Sequence, residues 1–285
     1  MPSLAEHLTA ARGRLEAAGL NAGAAALDSE VLARHVLGWD RARLLAHSRE
    51  EEPVNFSQAF EALVARRLNR EPVAQIVGVR EFWERDFEVS SDVLTPRPET
   101  ENIVEEALAF ASRRECRRVI DVGTGSGCLA VTVACELPGV EVTATDLSEA
   151  ALVVARRNAA RHGASDRVSF IHTDLLHDVT GVADVILSNP PYVPAADAGH
   201  MQPEVVRYEP HRALFGGASG LEILRRLFVE AGPHLAEHGL LIVEFGFGQG
   251  DSVENIALET GWRVERIRDD LQGIPRTIVV SKASG

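Results

Sequence analysis

The sequence predicts an α/β fold in which a largely parallel sheet follows a small all-helical N-terminal domain. From about residue 118 onward, short apolar runs alternate with segments of helical periodicity, as in repeated strand–helix units. Uninterrupted apolar runs are typical of parallel strands that helices cover on both faces. Before about residue 70, apolar residues recur at helical spacing, so this part of the chain predicts helices alone.

Residues 1–72 are predicted to form the helical N-terminal domain. Three apolar stripes have the spacing of one helix face, and Gly19 and Gly38 end the first two helices. Ser57 is the expected N-cap of the third helix. This region carries no catalytic motif, so we expect it to dock the protein substrate. The stripes are Leu4, Leu8, Ala11 and Leu15; Leu27, Val31, Leu32 and Val36; and Phe60, Leu63, Val64 and Leu68.

A β-hairpin linker is predicted over residues 73–98. Two β-prone segments, Ala74–Val79 and Phe82–Val89, lie next to each other in the chain. Pro96 and Pro98 then delay the next helix, because proline fixes φ and lacks a backbone donor. The hairpin therefore connects the helical domain to the sheet.

Seven strands are predicted in the α/β domain, which spans residues 99–285. Helical segments follow the first, second and fourth of these strands, and this alternation predicts a Rossmann-like, mostly parallel sheet. The strands are Val119–Val122, Glu141–Thr145, Val168–His172, Asp184–Ser188, Leu240–Phe245, Arg263–Arg268 and Thr277–Ser281. The helices begin at Glu99, Cys128, Ser148, Leu221 and about Ser252, and the fourth is expected to reach Glu237.

The net charge of −13 comes entirely from the second part of the chain. Residues 1–80 hold ten arginines and ten acidic residues, whereas residues 81–285 hold 19 basic and 32 acidic residues. Such a surface repels phosphate backbones, so we expect no direct binding of nucleic acid.

Three further features predict a cytoplasmic protein with no membrane contact, and we expect a monomer. No apolar run approaches the roughly 20 residues that span a bilayer. The N-terminal residues mix charges into an amphipathic pattern, unlike a signal peptide. The three cysteines show no C-x-x-C spacing, which indicates buried thiols in a reducing compartment and no metal site.

A glycine-rich turn after the first strand of the sheet is the predicted cofactor site. Open α/β sheets bind ligands at the carboxyl ends of their strands, and glycines let the backbone turn tightly there. The spacing is G-x-G-x-G, which differs from the dinucleotide fingerprint G-x-G-x-x-G. The residues assigned to the cofactor here are Asp121, Gly123, Thr124, Gly125, Ser126 and Gly127.

Two acidic residues complete the predicted cofactor site. Asp146 ends the second strand of the sheet, where a carboxylate can accept both hydroxyls of a ribose. Asp174, just past the third strand, is placed to meet an adenine amino group. Enzymes that use NAD hold ribose in the same way, so these residues alone leave NAD and S-adenosylmethionine both open. A later glycine cluster at Gly246, Gly248 and Gly250 predicts a simple turn.

The segment Asn189-Pro190-Pro191-Tyr192 at the end of the fourth strand indicates the chemistry. An amide nitrogen is a poor nucleophile and must be held in line with the group it attacks. The Asn189 side-chain carbonyl and the Pro190 carbonyl can each accept one N–H of a substrate amide. This pair favours the positive charge that develops on the nitrogen, and Tyr192 offers an aromatic face for that charge. Asn189, Pro190 and Tyr192 are the predicted catalytic residues.

Taken together, these motifs resemble class I S-adenosylmethionine-dependent methyltransferases that act on amide or exocyclic nitrogens. Further motifs narrow the resemblance to the bacterial release factor glutamine methyltransferase family, PrmC or HemK, over nearly the whole chain. These motifs are Pro96–Glu101, Tyr208–Pro210, Ala213-Leu214, Gly216-Gly217, Gly220-Leu221, Glu244–Gly246 and Gln249.

The resemblance implies the substrate and several site residues. The methyl donor would be S-adenosylmethionine, with S-adenosylhomocysteine as product, and the acceptor the Gly-Gly-Gln glutamine of class I peptide chain release factors. The resemblance also places Leu175 and Asn189 at the cofactor, and Asn189, Pro190, Pro191 and Tyr192 around the glutamine. Leu175 departs from the aromatic residue of some members, and Gln75–Gly78 departs from their linker motif.

Several other functions fit parts of the sequence less well. A glutamine methyltransferase for a ribosomal protein is the nearest alternative, followed by an adenine-N6 DNA methyltransferase, which the acidic surface disfavours. An NAD oxidoreductase would leave Asn189–Tyr192 without a role. His234 and His238 have metal-ligand spacing on a helix, but no third ligand is evident.

Overall fold

The computed structural model describes residues 2–283, which fold into two compact units. The first unit contains the chain up to Gly78 together with Gln202–Tyr208, and the second contains Val79–Met201 and the chain from Glu209 onward. A short segment from the middle of the sequence therefore belongs with the N-terminal helices. No helix in the described part of the chain is long and apolar enough to cross a bilayer.

The first unit is helical throughout, as predicted. Ser3 begins the first helix with a capping box, in which Ser3 and Glu6 each bond the other residue's backbone N–H. Phe56 and Phe60 stack in the core with their ring centroids 5.1 Å apart. The helices of this unit are α1 (Leu4–Ala17), α2 (Ala22–Leu37), α3 (Arg41–His47), α4 (Phe56–Leu68), α5 (Val73–Val77) and α9 (Pro203–Tyr208).

Ion pairs with little exposure to solvent hold α9 inside the first unit. Arg67 Nε lies 2.6 Å from Asp28 Oδ2, and Arg67 Nη2 lies 3.1 Å from Glu204 Oε1. Arg70 Nη2 lies 2.8 Å from the same oxygen of Glu204. Because removal of one partner leaves a buried charge without compensation, this cluster ties α9 strongly to α2 and α4.

Two local predictions for this region are wrong. Ser57 lies inside α4, and Asn55 occupies the N-cap position instead. The segment predicted as the strand Ala74–Val79 forms α5, which Gly78 ends with a φ of 76°. Ile76 is buried in the core of the first unit, and this packing outweighs the β preference of its β-branched neighbours.

The hairpin is shorter than predicted and belongs to the second unit. It consists of β1 (Val79–Phe82) and β2 (Arg85–Glu88), which pair antiparallel. Trp83 and Glu84 form the turn with φ of 52° and 56°, the positive values that a tight hairpin turn of this type requires.

The second unit contains the predicted seven-stranded sheet. The spatial order is β5-β4-β3-β6-β7-β9-β8; the pairs from β5 to β7 are parallel, and β9 pairs antiparallel with both β7 and β8. The strands are β3 (Arg118–Val122), β4 (Glu141–Asp146), β5 (Val168–His172), β6 (Ala183–Ser188), β7 (Leu235–Glu244), β8 (Trp262–Asp269) and β9 (Pro275–Lys282). The helices are α6 (Glu101–Ala111), α7 (Cys128–Glu136), α8 (Glu149–Arg161), α10 (His211–Leu214), α11 (Glu222–Ala231) and α12 (Gly250–Glu259).

One element of the second unit differs clearly from its prediction. The helix expected over Leu221–Glu237 ends at Ala231, and the chain enters β7 at Leu235. Pro233 accounts for the break, because a proline inside a helix removes a backbone hydrogen bond and clashes with the preceding turn. His234 and His238 therefore do not share a helix face.

The strand order places three strand ends next to one another. β3 lies between β4 and β6, and the direction in which the chain winds across the sheet reverses between β3 and β6. Ligands of open α/β sheets bind at such a reversal, beyond the carboxyl ends of the strands.

Candidate functional site

A cavity in the second unit lies where the strand order predicts a ligand site. It encloses about 1080 Å³, including the part open to solvent, which suffices for a nucleoside-sized cofactor together with a substrate side chain. The predicted site residues that line it are Gly123, Thr124, Gly125, Ser126, Asp146, Asp174, Leu175, Asn189 and Pro191. Within residues 2–283, no cluster of His, Cys, Asp or Glu side chains could hold a metal ion.

The glycine loop has the backbone that its sequence predicts. Gly123, Gly125 and Gly127 have φ of 73°, 55° and 81°, values that side-chain-bearing residues rarely adopt. A Cβ at Gly123 or Gly125 would meet no protein atom within 4 Å, so the loop leaves open space where the cavity lies. The three glycines are therefore needed for the shape of the loop.

Asp146 connects the loop to the end of β4. Its Oδ2 accepts a hydrogen bond from the Gly125 N–H at 2.9 Å, and its Oδ1 accepts one from the Ser148 N–H at 2.8 Å. Burial raises the pKa of Asp146, and these two bonds oppose the rise by stabilising the ionised form. Each carboxylate oxygen keeps a further lone pair that can accept from a ribose hydroxyl.

Asp121 and Gly127, which are also predicted to belong to the cofactor site, are not among the residues that line the cavity. Asp121 is fully buried behind the loop, where its Oδ2 accepts from Thr124 Oγ1 at 2.6 Å and from the Ala130 N–H at 3.1 Å. At Gly127, a Cβ would lie 3.1 Å from the Cβ of Ala155 on α8. Both residues therefore shape the loop from behind.

Asp174 and Leu175 line the cavity next to each other. Leu175 has a φ of 48°, and a side chain held in this conformation is typical of functional sites. Asp174 is exposed, and its Oδ2 lies 3.0 Å from Arg226 Nη2 on α11. The ion pair joins this exposed carboxylate to α11.

Asn189 lies at the end of β6, and its side chain is held from the protein side. Its Nδ2 donates to Thr100 Oγ1 at 2.9 Å, and the Thr100 hydroxyl donates to Glu244 Oε2 at 2.7 Å. Thr100 and Glu244 are both almost fully buried. Thr100 and Asn189 line the cavity, so this chain of hydrogen bonds reaches from the core to the cavity wall.

Tyr192 is fixed at both its hydroxyl and its backbone. The hydroxyl donates to Glu244 Oε1 at 3.1 Å, and the carbonyl accepts from Gln249 Nε2 at 2.8 Å. Gln249 Oε1 in turn accepts from the Gly246 N–H at 2.8 Å. Tyr192 and the buried Pro190 are not among the residues that line the cavity, whereas Pro191 is.

Two glycines after α9 pack against the backbone of Asn189–Tyr192. A Cβ at Gly216 would lie 2.3 Å from the Pro191 carbonyl oxygen, and one at Gly220 would lie 2.2 Å from the Tyr192 carbonyl oxygen. The turn expected at Gly246 also packs against this segment, since a Cβ there would approach the Tyr192 ring to 3.0 Å. These glycines and Glu244 belong to the motifs that carry the family resemblance, but the sequence alone predicts no contact for them.

Comparison with known proteins agrees with this geometry. Residues 6–78 match the model of the PrmC N-terminal domain, and residues 104–208 match that of the methyltransferase small domain. The release factor glutamine methyltransferase of Cereibacter sphaeroides is 42% identical over 96% of this chain and 96% of its own. The chain belongs to the release factor glutamine methyltransferase family. The family predicted from the motifs is thus confirmed.

A second member of the release factor glutamine methyltransferase family, from Neisseria gonorrhoeae, is 44% identical over 88% of this chain and 91% of its own. This chain is therefore a methyltransferase, and S-adenosylmethionine is its methyl donor. The cavity fits that donor, since the carboxylate of Asp146 and a glycine loop that leaves open space beside it both line the cavity.

Solved structures confirm the predicted fold class, a class I methyltransferase sheet. The human Mettl16 catalytic domain in complex with an RNA hairpin superposes with a TM-score of 0.59 at 16% identity, covering 74% of this chain and 81% of that domain. A methyltransferase from Pyrococcus furiosus superposes with a TM-score of 0.51 at 20% identity, covering 76% of this chain and 95% of that protein. At these identities the likeness concerns the fold alone.

Proposed function

We propose that this chain transfers a methyl group from S-adenosylmethionine to the side-chain amide nitrogen of the glutamine in the Gly-Gly-Gln motif of class I peptide chain release factors. The observation that carries the proposal is the Asn189 side chain, which lines the cofactor cavity with its amide anchored from behind by Thr100. Family membership supports the same substrate, because the relatives are named for the release factor glutamine.

The chain's own groups would orient the substrate amide. The Asn189 Oδ1 and the Pro190 carbonyl accept one N–H each, which points the nitrogen lone pair along the line of attack. When bound, the cofactor supplies an electrophilic methyl group. Because both acceptors are fixed before reaction, they stabilise the positive charge that builds on the nitrogen. The methylated, protonated amide then releases its proton to water.

Pro191 and Tyr192 have separate tasks in this proposal. Pro191 lines the cavity and forms part of the wall beside the glutamine side chain. Tyr192 gives the aromatic face for the planar amide, and its ring position is set by the bonds to Glu244 and Gln249. The aromatic face favours a developing positive charge.

The same proposal assigns Asp146 to the ribose, Asp174 to the adenine amino group and Leu175 to the adenine face. Asp146 is the strongest of these assignments, because its carboxylate is buried and already held by two backbone donors. The Gly123–Gly127 loop approaches the methionine part of the cofactor. The positive φ of Leu175 supports a role at the cofactor as well.

The helical unit would supply a second docking face for the release factor, since a three-residue motif buries too little surface for a specific complex. We place the enzyme in the cytoplasm as a monomer that does not bind nucleic acid. The three unpaired cysteines and the net charge of −13 support this placement.

A substrate panel tests the proposed function. The purified protein is incubated with radiolabelled S-adenosylmethionine and, separately, with a release factor, ribosomal proteins and DNA. We expect label in the release factor alone. Label in a ribosomal protein or in DNA, with none in the release factor, would establish one of the alternatives instead.

A further inference from the structure

The Thr100 hydroxyl lies between two groups of opposite hydrogen-bonding character. Glu244 Oε2 is 2.7 Å from Thr100 Oγ1, and Asn189 Nδ2 is 2.9 Å from it. A hydroxyl has one proton to donate and two lone pairs to accept with. Above its pKa, Glu244 is a carboxylate that can only accept, so the single proton of Thr100 is then committed to Glu244.

This commitment decides which end of the Asn189 amide faces Thr100. With its proton used, Thr100 can only accept from Asn189, and only the NH₂ group of the amide can donate. The carbonyl and amide ends of an asparagine are otherwise nearly indistinguishable by shape. Because the amide is planar, the Oδ1 acceptor is directed away from Thr100.

We propose that Thr100 and Glu244 are positioning residues that fix the Asn189 amide in the one orientation able to receive a substrate N–H. The inference rests on the proposed function, because the acceptor matters only if an amide is the substrate. With the opposite orientation, Asn189 would present a donor to the donor that it must bind. Glu244 therefore acts on the reaction through Thr100 and Asn189, without touching the substrate.

The Glu244 carboxylate also holds Tyr192, at the other end of the segment Asn189–Tyr192. Glu244 Oε1 accepts from the Tyr192 hydroxyl at 3.1 Å. One oxygen of Glu244 therefore holds Tyr192 directly, and the other holds Asn189 through Thr100. The two donors oppose the effect of burial, which raises the pKa of Glu244 to about 7. Among charged neighbours, Glu99 raises this pKa and Arg276 lowers it.

The test substitutes Thr100 and measures chemistry and cofactor binding separately, at a pH of about 8 where Glu244 is ionised. Thr100→Val keeps the shape of the side chain and removes the hydroxyl, so the Asn189 amide loses its fixed orientation. We expect kcat on a Gly-Gly-Gln peptide to fall at least about tenfold. The Kd for S-adenosylhomocysteine should stay within about threefold.

Two companion variants make the result specific. Thr100→Ser restores the hydroxyl and should recover most of the lost kcat. Thr132→Val is the matched control, because Thr132 is a fully buried threonine on α7 outside the cavity lining. Its kcat should equal that of the wild type. If Thr100→Val does not fold, Thr100→Ala removes the same hydroxyl without adding a methyl group.

Each remaining outcome has a definite meaning. Wild-type kcat in Thr100→Val overturns the positioning role and leaves the proposed function intact. A large loss of cofactor affinity in Thr100→Val also overturns it, since Thr100 would then act on the cofactor. If the wild-type enzyme itself does not methylate the peptide or the whole release factor, the proposed function fails first.

Discussion

The Gly125 N–H donates to Asp146 Oδ2 over 2.9 Å, so the glycine loop after β3 is bound directly to the carboxylate that ends β4. One side chain thereby sets the shape of the loop and faces the cavity. Cofactor affinity should consequently depend on Asp146 more than on any other single side chain at this site.

Asp146→Ala should weaken cofactor binding and leave the chemistry of the saturated enzyme nearly intact. The loss combines the bonds to ribose with those that hold the loop, and should amount to about 3 kcal/mol or more. Calorimetry with S-adenosylhomocysteine measures it, with Asp251→Ala, an exposed carboxylate at the start of α12, as control. Unchanged affinity in Asp146→Ala would refute the ribose assignment.

Asn189→Ala should lower kcat and leave cofactor affinity nearly unchanged, the reverse of Asp146→Ala. It removes an acceptor that is used mainly in the transition state, so kcat should fall by the equivalent of about 2–4 kcal/mol. The Kd for the cofactor should remain within a few-fold of the wild type. Single-turnover methylation of a Gly-Gly-Gln peptide measures the chemical step, and a retained rate would remove Asn189 from the mechanism.

Asp121 should make the protein less stable as the pH rises. Burial raises the pKa of Asp121 to about 7, so the folded state keeps a proton that the unfolded state releases above its ordinary pKa. The contribution of Asp121 to the free energy of unfolding is therefore fully present below that ordinary pKa. It is lost as the pH rises to about 7, at about 1.4 kcal/mol per pH unit at most.

Asp121→Asn isolates this contribution, because it removes the titrating group and keeps an acceptor for Thr124 and Ala130. Urea unfolding at about pH 5 and about pH 8 should show a smaller loss of stability in the variant than in the wild type. Burial also raises the pKa of Glu244 to about 7. Its titration therefore adds the same loss of stability to the wild type and to the variant. Equal losses in the two proteins would show that Asp121 is ionised throughout.

The helical unit should contribute to recognition of the whole release factor. Leu27, Leu45 and Val54 are large apolar side chains of this unit with exposed fractions of 56%, 61% and 88%. Changing all three to serine should raise KM for the intact release factor and leave kcat on a short peptide unchanged. Leu271→Ser, which changes a fully exposed leucine of the second unit, is the control. An unchanged KM in the triple variant would assign the helices to stability alone.

The glycine loop could be predicted from the sequence because its constraint is local. Gly123, Gly125 and Gly127 each need a positive φ, and the residue type alone carries that information. Asp146 was predictable for a similar reason, since a strand end fixes where its side chain lies. The helix α5 was missed because its packing in the core outweighs the preference of a β-branched segment.

The contacts behind Asn189 could not be predicted in the same way. Thr100 lies 89 positions from Asn189 and 144 from Glu244 in the chain, and no local pattern connects them. The motifs around Thr100 and Glu244 are part of the family resemblance, but only the folded sheet brings these two residues beside β6. Asp121 shows the converse, because its place in a motif predicts cofactor contact, whereas the folded chain buries it behind the loop, where it bonds Thr124 and Ala130.

If one glutamine amide of a release factor receives the methyl group, tandem mass spectrometry of the methylated protein will locate it. A recombinant release factor, produced without its native methylation, is incubated with the enzyme and S-adenosylmethionine and then digested. We expect one added methyl group on the side chain of the Gly-Gly-Gln glutamine, and none in a release factor with that glutamine changed to alanine. Methylation at another residue, or equal methylation of the alanine variant, would contradict it.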